Sequence, residues 1–176
     1  MNNILTFKKH RFNPLRPTVA DIDIADIAHC LARIPRANGH FAEFFPVARH
    51  SVNCAAEAKA RGLNDNIILT LLLHDASEAY LCDIVRPVKN EMPEYRVYEK
   101  VLQDTIYKAY NIGVADVSAI RDEIDDAMLY YEFVHFADER LFDTAPVISS
   151  APDFSECNFD KDEQLFLYWF DKYYKA

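Results

Sequence analysis

Apolar residues recur at helical spacing in six stretches of this chain, and no stretch alternates convincingly as a half-buried strand does. Thr18 is placed to cap a first run, VADIDIADIAHCLARI (19–34), in which Ile24, Ile27, Ala28 and Leu31 share a face and which Pro35 ends. A loop over 35–45 contains Gly39; Pro46 then opens a second helix that reaches about Arg61 and stops at Gly62. Asn64 or Asp65 caps a third, NIILTLLLHDASEAYL (66–81). DIVRPVK (83–89) reads as a loop broken by Pro87. A fourth helix is expected over 91–110, ending near Gly113, and Asp116 caps a fifth to about 138. Residues 143–159, with Pro146 and Pro152, read as a surface loop before a last amphipathic helix over 160–174. Residues 1–17, punctuated by Pro14 and Pro17, read as an arm or loop, and no internal repeat is visible.

The expectation is an all-α, single-domain helical bundle covering residues 1–176. Three glycines in the whole chain agree with it, since hairpin-rich folds need more positive-φ positions. The net charge of −9 argues against stable nucleic-acid binding, but not against a small anionic substrate held by a few local cations. No apolar run reaches membrane-spanning length, and no secretory signal is legible, so a cytoplasmic protein with no membrane partner is expected. Cys30, Cys54, Cys82 and Cys157 are scattered and read as reduced packing residues. The last helix carries Phe166, Tyr168, Trp169, Phe170, Tyr173 and Tyr174, more than one buried stripe needs, and this suggests a homo-oligomer.

Candidate chemistry centres on the third helix. At about 100° per residue from His74, Ile67 and Leu81 fall within about 20°, Glu78 near about 40° and Asp75 near about 100°. A His and a Glu thus enter an apolar stripe, with an Asp at its edge. Burying a carboxylate there is costly unless compensated, and a divalent cation compensates well. The plainer alternative is that His74 and Glu78 merely pair, i to i+4. His50 in VARHSVNCAAE has the plainer reading of a surface residue. On the fifth helix Asp125 lies at the edge of the stripe formed by Val117, Ile120, Ile124, Met128 and Tyr131, while Asp126 points towards solvent. RDEIDD is otherwise a solvated charge run, and Lys89 an ordinary surface lysine.

Taken together, an upstream ARHSV, the block HDASEAYLCDIVRPVK and the later IDDAMLYYE resemble the HD superfamily of metal-dependent phosphohydrolases. The likeness spans about residues 10–135 and is closest to the branch of bacterial 5'-deoxynucleotidases and phage deoxynucleotide triphosphohydrolases. FNPLRP and the following IDIADIAHCLARIPRANGHF resemble the opening segment of the phage and prophage members. The resemblance implies a divalent transition metal (Co, Mn, Zn, Fe or Ni) on His50, His74, Asp75 and Asp125, with Asp126 the alternative to Asp125. It implies Glu78 and Asp83 as acid/base carboxylates, and Arg36 and Lys89 as phosphate-binding cations. A further Mg²⁺ on a triphosphate is left open.

The implied activity is hydrolysis of dATP to deoxyadenosine and triphosphate, which in a phage setting (and then in the host cytoplasm) depletes dATP and favours 2-aminoadenine in the genome. A 5'-deoxynucleotidase on the same centre is the alternative. A nucleotide-binding sensor without turnover and a purely structural helical adaptor are readings of other classes. Two departures stand out. The family loop C-R-F/Y-G-G-H is replaced by Pro35-Arg36-Ala37-Asn38-Gly39-His40, which brings His40 near the expected pocket. The lysine that the phage enzymes carry about three residues before the last aspartate is Asp122 here, with Arg121 beside it.

Overall fold

Helix α2 (Val47–Ala60) is the axis of the molecule: nearly every side chain from Val47 to Ala58 is buried, so neighbours surround it on all sides. The computed structural model describes residues 3–113 and 117–175. Around α2 pack α1 (Ile24–Leu31), α3 (Asp65–Leu72), α7 (Ser118–Ala137) and α8 (Phe159–Tyr173). Ile27, Leu31, Leu71, Leu72, Ile124, Met128 and Phe166 form their shared core. The shorter α4 (Glu78–Leu81) and α5 (Arg86–Asn90) lead into α6 (Pro93–Ala109). The chain is mainly α-helical, as its periodicity predicts. Asn64 and Asn158 start α3 and α8 by accepting the N–H groups of Ile67 and Lys161. Gly62, at φ +73°, follows the end of α2.

Four local expectations are corrected. Residues 4–12 contain a small antiparallel hairpin, β1 (Ile4–Leu5) with β2 (Arg11–Phe12), closed by a turn with Lys9 at φ 64°. It is anchored by Phe12, fully buried against Tyr80, and by the Lys8 N–H donating to Asp26. The first helix begins at Ile24 and not at Val19: the Asp21 carboxylate accepts the Thr18 N–H and hydroxyl, closing a separate 3-10 turn, and Asp23 then caps α1. Residues 86–90 are helical because Pro87 stands in a first turn, where no N–H is required of it. The run 66–81 is two helices with a tight turn between them, so His74 and Asp75 lie outside regular helix. In that turn the Gln103 side chain of α6 accepts from Ser77 N–H and donates to the Leu73 carbonyl. The expected cap Asp116 lies outside the described residues.

The segment read as a surface loop is tied down. Arg49, Asn53 and Glu57 recur every four residues on α2 and bind it in succession. Arg49 reaches the Ser155 carbonyl and the buried Asp162, and Asn53 exchanges two hydrogen bonds with the Asp153 backbone. Glu57 accepts the N–H groups of Ser149 and Ser150, the Ser150 hydroxyl and the Arg61 guanidinium. Burial works to raise the Glu57 pKa, but these donors outweigh it and hold the carboxyl below its ordinary value. Such a group stabilises the fold above its unfolded pKa, and the contribution is lost as pH falls through the folded one. Glu57→Gln sets an amide donor against two backbone donors and is expected to cost about 2 kcal/mol at neutral pH. Urea titrations should show this gap between variant and parent closing as pH is lowered through the carboxylate range; a gap independent of pH would refute the assignment.

Of the six C-terminal aromatics, Phe166, Phe170 and Tyr173 are buried in the chain's own core, and Tyr168 is the exposed one. Phe170 and Tyr174 also pack with Tyr110. Among the described residues no helix is long and apolar enough to cross a membrane.

Candidate metal centre

Four side chains from three parts of the chain converge below α2. His50 comes from α2, His74 and Asp75 from the turn after α3, and Asp125 from α7. His50 Nε2 lies 3.3 Å from His74 Nε2, 3.1 Å from Asp125 Oδ1 and 3.7 Å from Asp75 Oδ2. His74 Nε2 lies 3.3 Å from Asp75 Oδ2 and 3.7 Å from Asp125 Oδ1. A cation bound at about 2.1 Å sets adjacent ligand atoms about 3.0–3.4 Å apart. The ligand atoms of His50, His74 and Asp125, together with the Cys54 sulfur, all lie within 4.8 Å of one another, and Asp75 meets the two histidines at the distances above. Asp126 turns away and pairs with Arg86 at 3.0 Å.

Both histidines are held with Nε2 facing the centre. The His74 Nδ1–H donates to the Leu71 carbonyl at 2.7 Å, and His50 Nδ1 meets Glu132 Oε1 at 2.5 Å. A carboxylate or carbonyl on the far nitrogen fixes tautomer and ring direction, as metal-binding histidines require. Burial works against ionisation of Asp125, but hydrogen bonds from His50 and His74 outweigh it and hold the carboxyl well below its usual range. Two imidazoles and two carboxylates suit Mn²⁺, Fe²⁺, Co²⁺, Ni²⁺ or Zn²⁺. The donor set thus fits the metal that the sequence resemblance implies.

Two residues of the centre were not singled out from sequence. Glu132 is buried, orients His50 and also holds Arg36 at 3.2 Å. It stands two turns beyond Asp125 on α7, a spacing that puts both on one face, so the signal was present in IDDAMLYYE. Cys54 stands one turn beyond His50, with its sulfur 3.5 Å from His50 Nε2. Burial pushes its thiol up to about 11 in the metal-free chain, and its sulfur belongs to the same cluster of possible ligand atoms.

The expected acid/base and phosphate residues lie beside this cluster. Glu78 is buried and its Oε2 has no partner, while Oε1 is 3.8 Å from Lys89 Nζ. Burial, then Asp75 and Asp83, push its pKa well above the carboxylate range. Burial also raises Asp83. Lys89 is bound to Glu99 at 2.6 Å. Arg36 is buried among carboxylates, with Glu132 at 3.2 Å, Asp75 at 3.7 Å and Asp83 at 3.9 Å. It leads a turn in which Ala37, Asn38 and Gly39 all have positive φ, a conformation that glycine adopts freely and alanine does not. His40 is exposed at the end of that turn. Among the remaining histidines, His29 pairs with Glu163 and His135 stacks on Phe154, both away from the centre.

Two cavities meet at Asp75, Lys89 and Asp125. One, of about 600 Å³, is lined by Lys89, Arg96, Lys100 and Arg121 together with acidic groups and Ser77. The other, of about 320 Å³, has the apolar wall Ile84, Val85, Pro87, Leu129, Phe133 and Leu141. Both fall within the size range of small-ligand sites.

No family model matches the chain. It is 34% identical over 112 residues to the uncharacterized protein YfdR of Escherichia coli K12, which covers 64% of this chain and 60% of that protein. It is 43% identical over 84 residues to an uncharacterized protein of Rhodobacter capsulatus, covering 45% of this chain and 42% of that one. The matches span less than two thirds of the length of either relative.

Proposed function

We propose that this chain is an HD-type metal-dependent phosphohydrolase that converts dATP to deoxyadenosine and triphosphate. The observation that carries the reading is the gathering of His50, His74, Asp75 and Asp125, with a buried Glu78 beside it whose pKa burial raises. We assign the phosphate chain to the cavity where Lys89, Arg96, Lys100 and Arg121 alternate with carboxylates, and the deoxyribonucleoside to the apolar-walled one. When bound, a divalent cation polarises a phosphoryl oxygen and lowers the pKa of water. Asp83 is placed to accept a proton from the attacking water as the bond to the α-phosphorus forms. Glu78 supplies a proton to O5' as the P–O5' bond breaks, so that deoxyadenosine and triphosphate leave. Lys89 offsets charge on the phosphate oxygens. Self-association through the aromatic end of α8 is part of the same proposal and centres on Tyr168 and Trp169.

Product analysis separates the competing readings. The protein is incubated with Co²⁺ or Mn²⁺ and either dATP or dAMP. Triphosphate and deoxyadenosine from dATP, with dAMP untouched, are expected. Phosphate from dAMP alone would make it a 5'-deoxynucleotidase. Nucleotide binding without turnover under every metal would make it a sensor.

A further inference from the structure

In an unbroken α-helix the Ser77 N–H would donate to the Leu73 carbonyl four residues earlier. Here the Gln103 amide stands between them. Its Nε2 donates to Leu73 O at 2.7 Å, and its Oε1 accepts from Ser77 N at 3.0 Å. One rung of the ladder is thus made through a side chain from another helix. Both ends of the amide are used, and the reverse orientation would set donor against donor and acceptor against acceptor. Insertion of a side chain into the ladder is one of the few physical causes of a sharp helix break. A neighbouring rung is diverted too: Leu71 O, which the Asp75 N–H would take in a continuous helix, receives the His74 ring N–H.

The break has a geometric consequence. Consecutive residues of a helix point about 100° apart and do not face each other. Yet His74 Nε2 and Asp75 Oδ2 lie 3.3 Å from one another. Two adjacent residues can serve one cation here because the segment between α3 and α4 is not helical. Gln103 is fixed in turn by its place on α6, next to the fully buried Leu102.

We propose that Gln103 is a positioning residue for the metal centre. Its amide holds residues 73–77 open so that His74 and Asp75 donate together. This rests on the metal reading above, and its test is therefore metal binding and not turnover. In Gln103→Leu the Leu73 carbonyl, which already accepts the Ala76 N–H at 3.1 Å, can take the Ser77 N–H directly, so the segment can close into helix and the variant should remain folded. Gln103→Glu keeps the length and the acceptor for Ser77 but cannot donate to Leu73.

Co²⁺ is titrated into the parent and both variants, with affinity read by chelator competition and ligand geometry read from the visible absorption of bound Co²⁺. Outer groups that orient ligands are worth about 10–100-fold in affinity. A loss of that size in Gln103→Leu is expected, with an altered Co²⁺ spectrum and a smaller loss in Gln103→Glu. A purely packing role would lower the melting temperature and leave the spectrum and the affinity unchanged. Parent-like Co²⁺ affinity and spectrum in folded Gln103→Leu would overturn the proposal. If that variant does not fold, the same titration of Gln103→Glu decides. Failure of the parent itself to bind Co²⁺ would remove the metal reading, and this inference with it.

Discussion

His74→Ala is expected to lose tightly bound divalent metal and about 10³-fold or more in turnover. The size follows from the cation's several kcal/mol of charge stabilisation, at about 1.4 kcal/mol per factor of ten. His74 is one of four donors, and its Nε2 faces His50, Asp75 and Asp125 at 3.3–3.7 Å. Its one other hydrogen bond among the described residues goes to Leu71 O, so loss of the ring leaves the packing of α2, α3 and α7 in place. His29→Ala, at the half-buried pair with Glu163, should leave metal content and rate unchanged. Metal content after dialysis and initial rates on dATP decide the matter; stoichiometric, tightly held metal in His74→Ala would refute the four-donor centre.

Metal uptake should also depend on pH. Burial and Arg36 work to lower the His50 pKa, but Glu132 and the hydrogen bond with Asp125 outweigh them and hold it above the usual imidazole value. A cation binding at Nε2 competes with a proton on the same nitrogen. Co²⁺ affinity is expected to rise with pH, with protons released on binding. Calorimetry in buffers of different ionisation enthalpy measures their number directly.

What the sequence revealed and what it hid have a common cause. Helix α8 was legible because its cap, Asn158, and its apolar stripe are local. Asp125 was legible because α7 is a regular helix, so angle along the sequence maps onto direction in space. The same reasoning put His74 inside the stripe and Asp75 at its edge, but its premise of one continuous helix over 66–81 does not hold. Their direction is set by Gln103, some thirty residues on, which no periodicity of the 66–81 run can report. The inward polar stripe Arg49, Asn53 and Glu57 failed to stand out for a like reason: its partners lie beyond residue 148. Glu132 and Cys54 were visible as letters at helical spacing from Asp125 and His50. Their roles became readable only when α2 and α7 were brought side by side. Local signals give elements and caps, while groups recruited across long separations determine where the donors point.

Glu78→Gln is expected to lower kcat by about 10²–10⁴-fold, the range that a positioned proton donor contributes. Glutamine keeps the shape of the side chain and cannot release a proton as a carboxylic acid does. Among the described residues no hydrogen bond joins Glu78 to His50, His74, Asp75 or Asp125, so Co²⁺ affinity should stay close to that of the parent. Its environment selects it for this role. Burial, then the charges of Asp75 and Asp83, keep its proton on at a pH where Asp125 is ionised. Two carboxyl groups in one centre with pKa values driven apart are the physical basis for dividing acid and ligand functions. The pH profile tests the sign. If Glu78 donates the proton to O5', the parent's rate falls as pH rises through its raised pKa, and this limb is absent from the residual activity of Glu78→Gln. A rate that falls on the acid side alone would instead make Glu78 the base. The order of proton transfers proposed above would then be reversed, with Asp83 the donor.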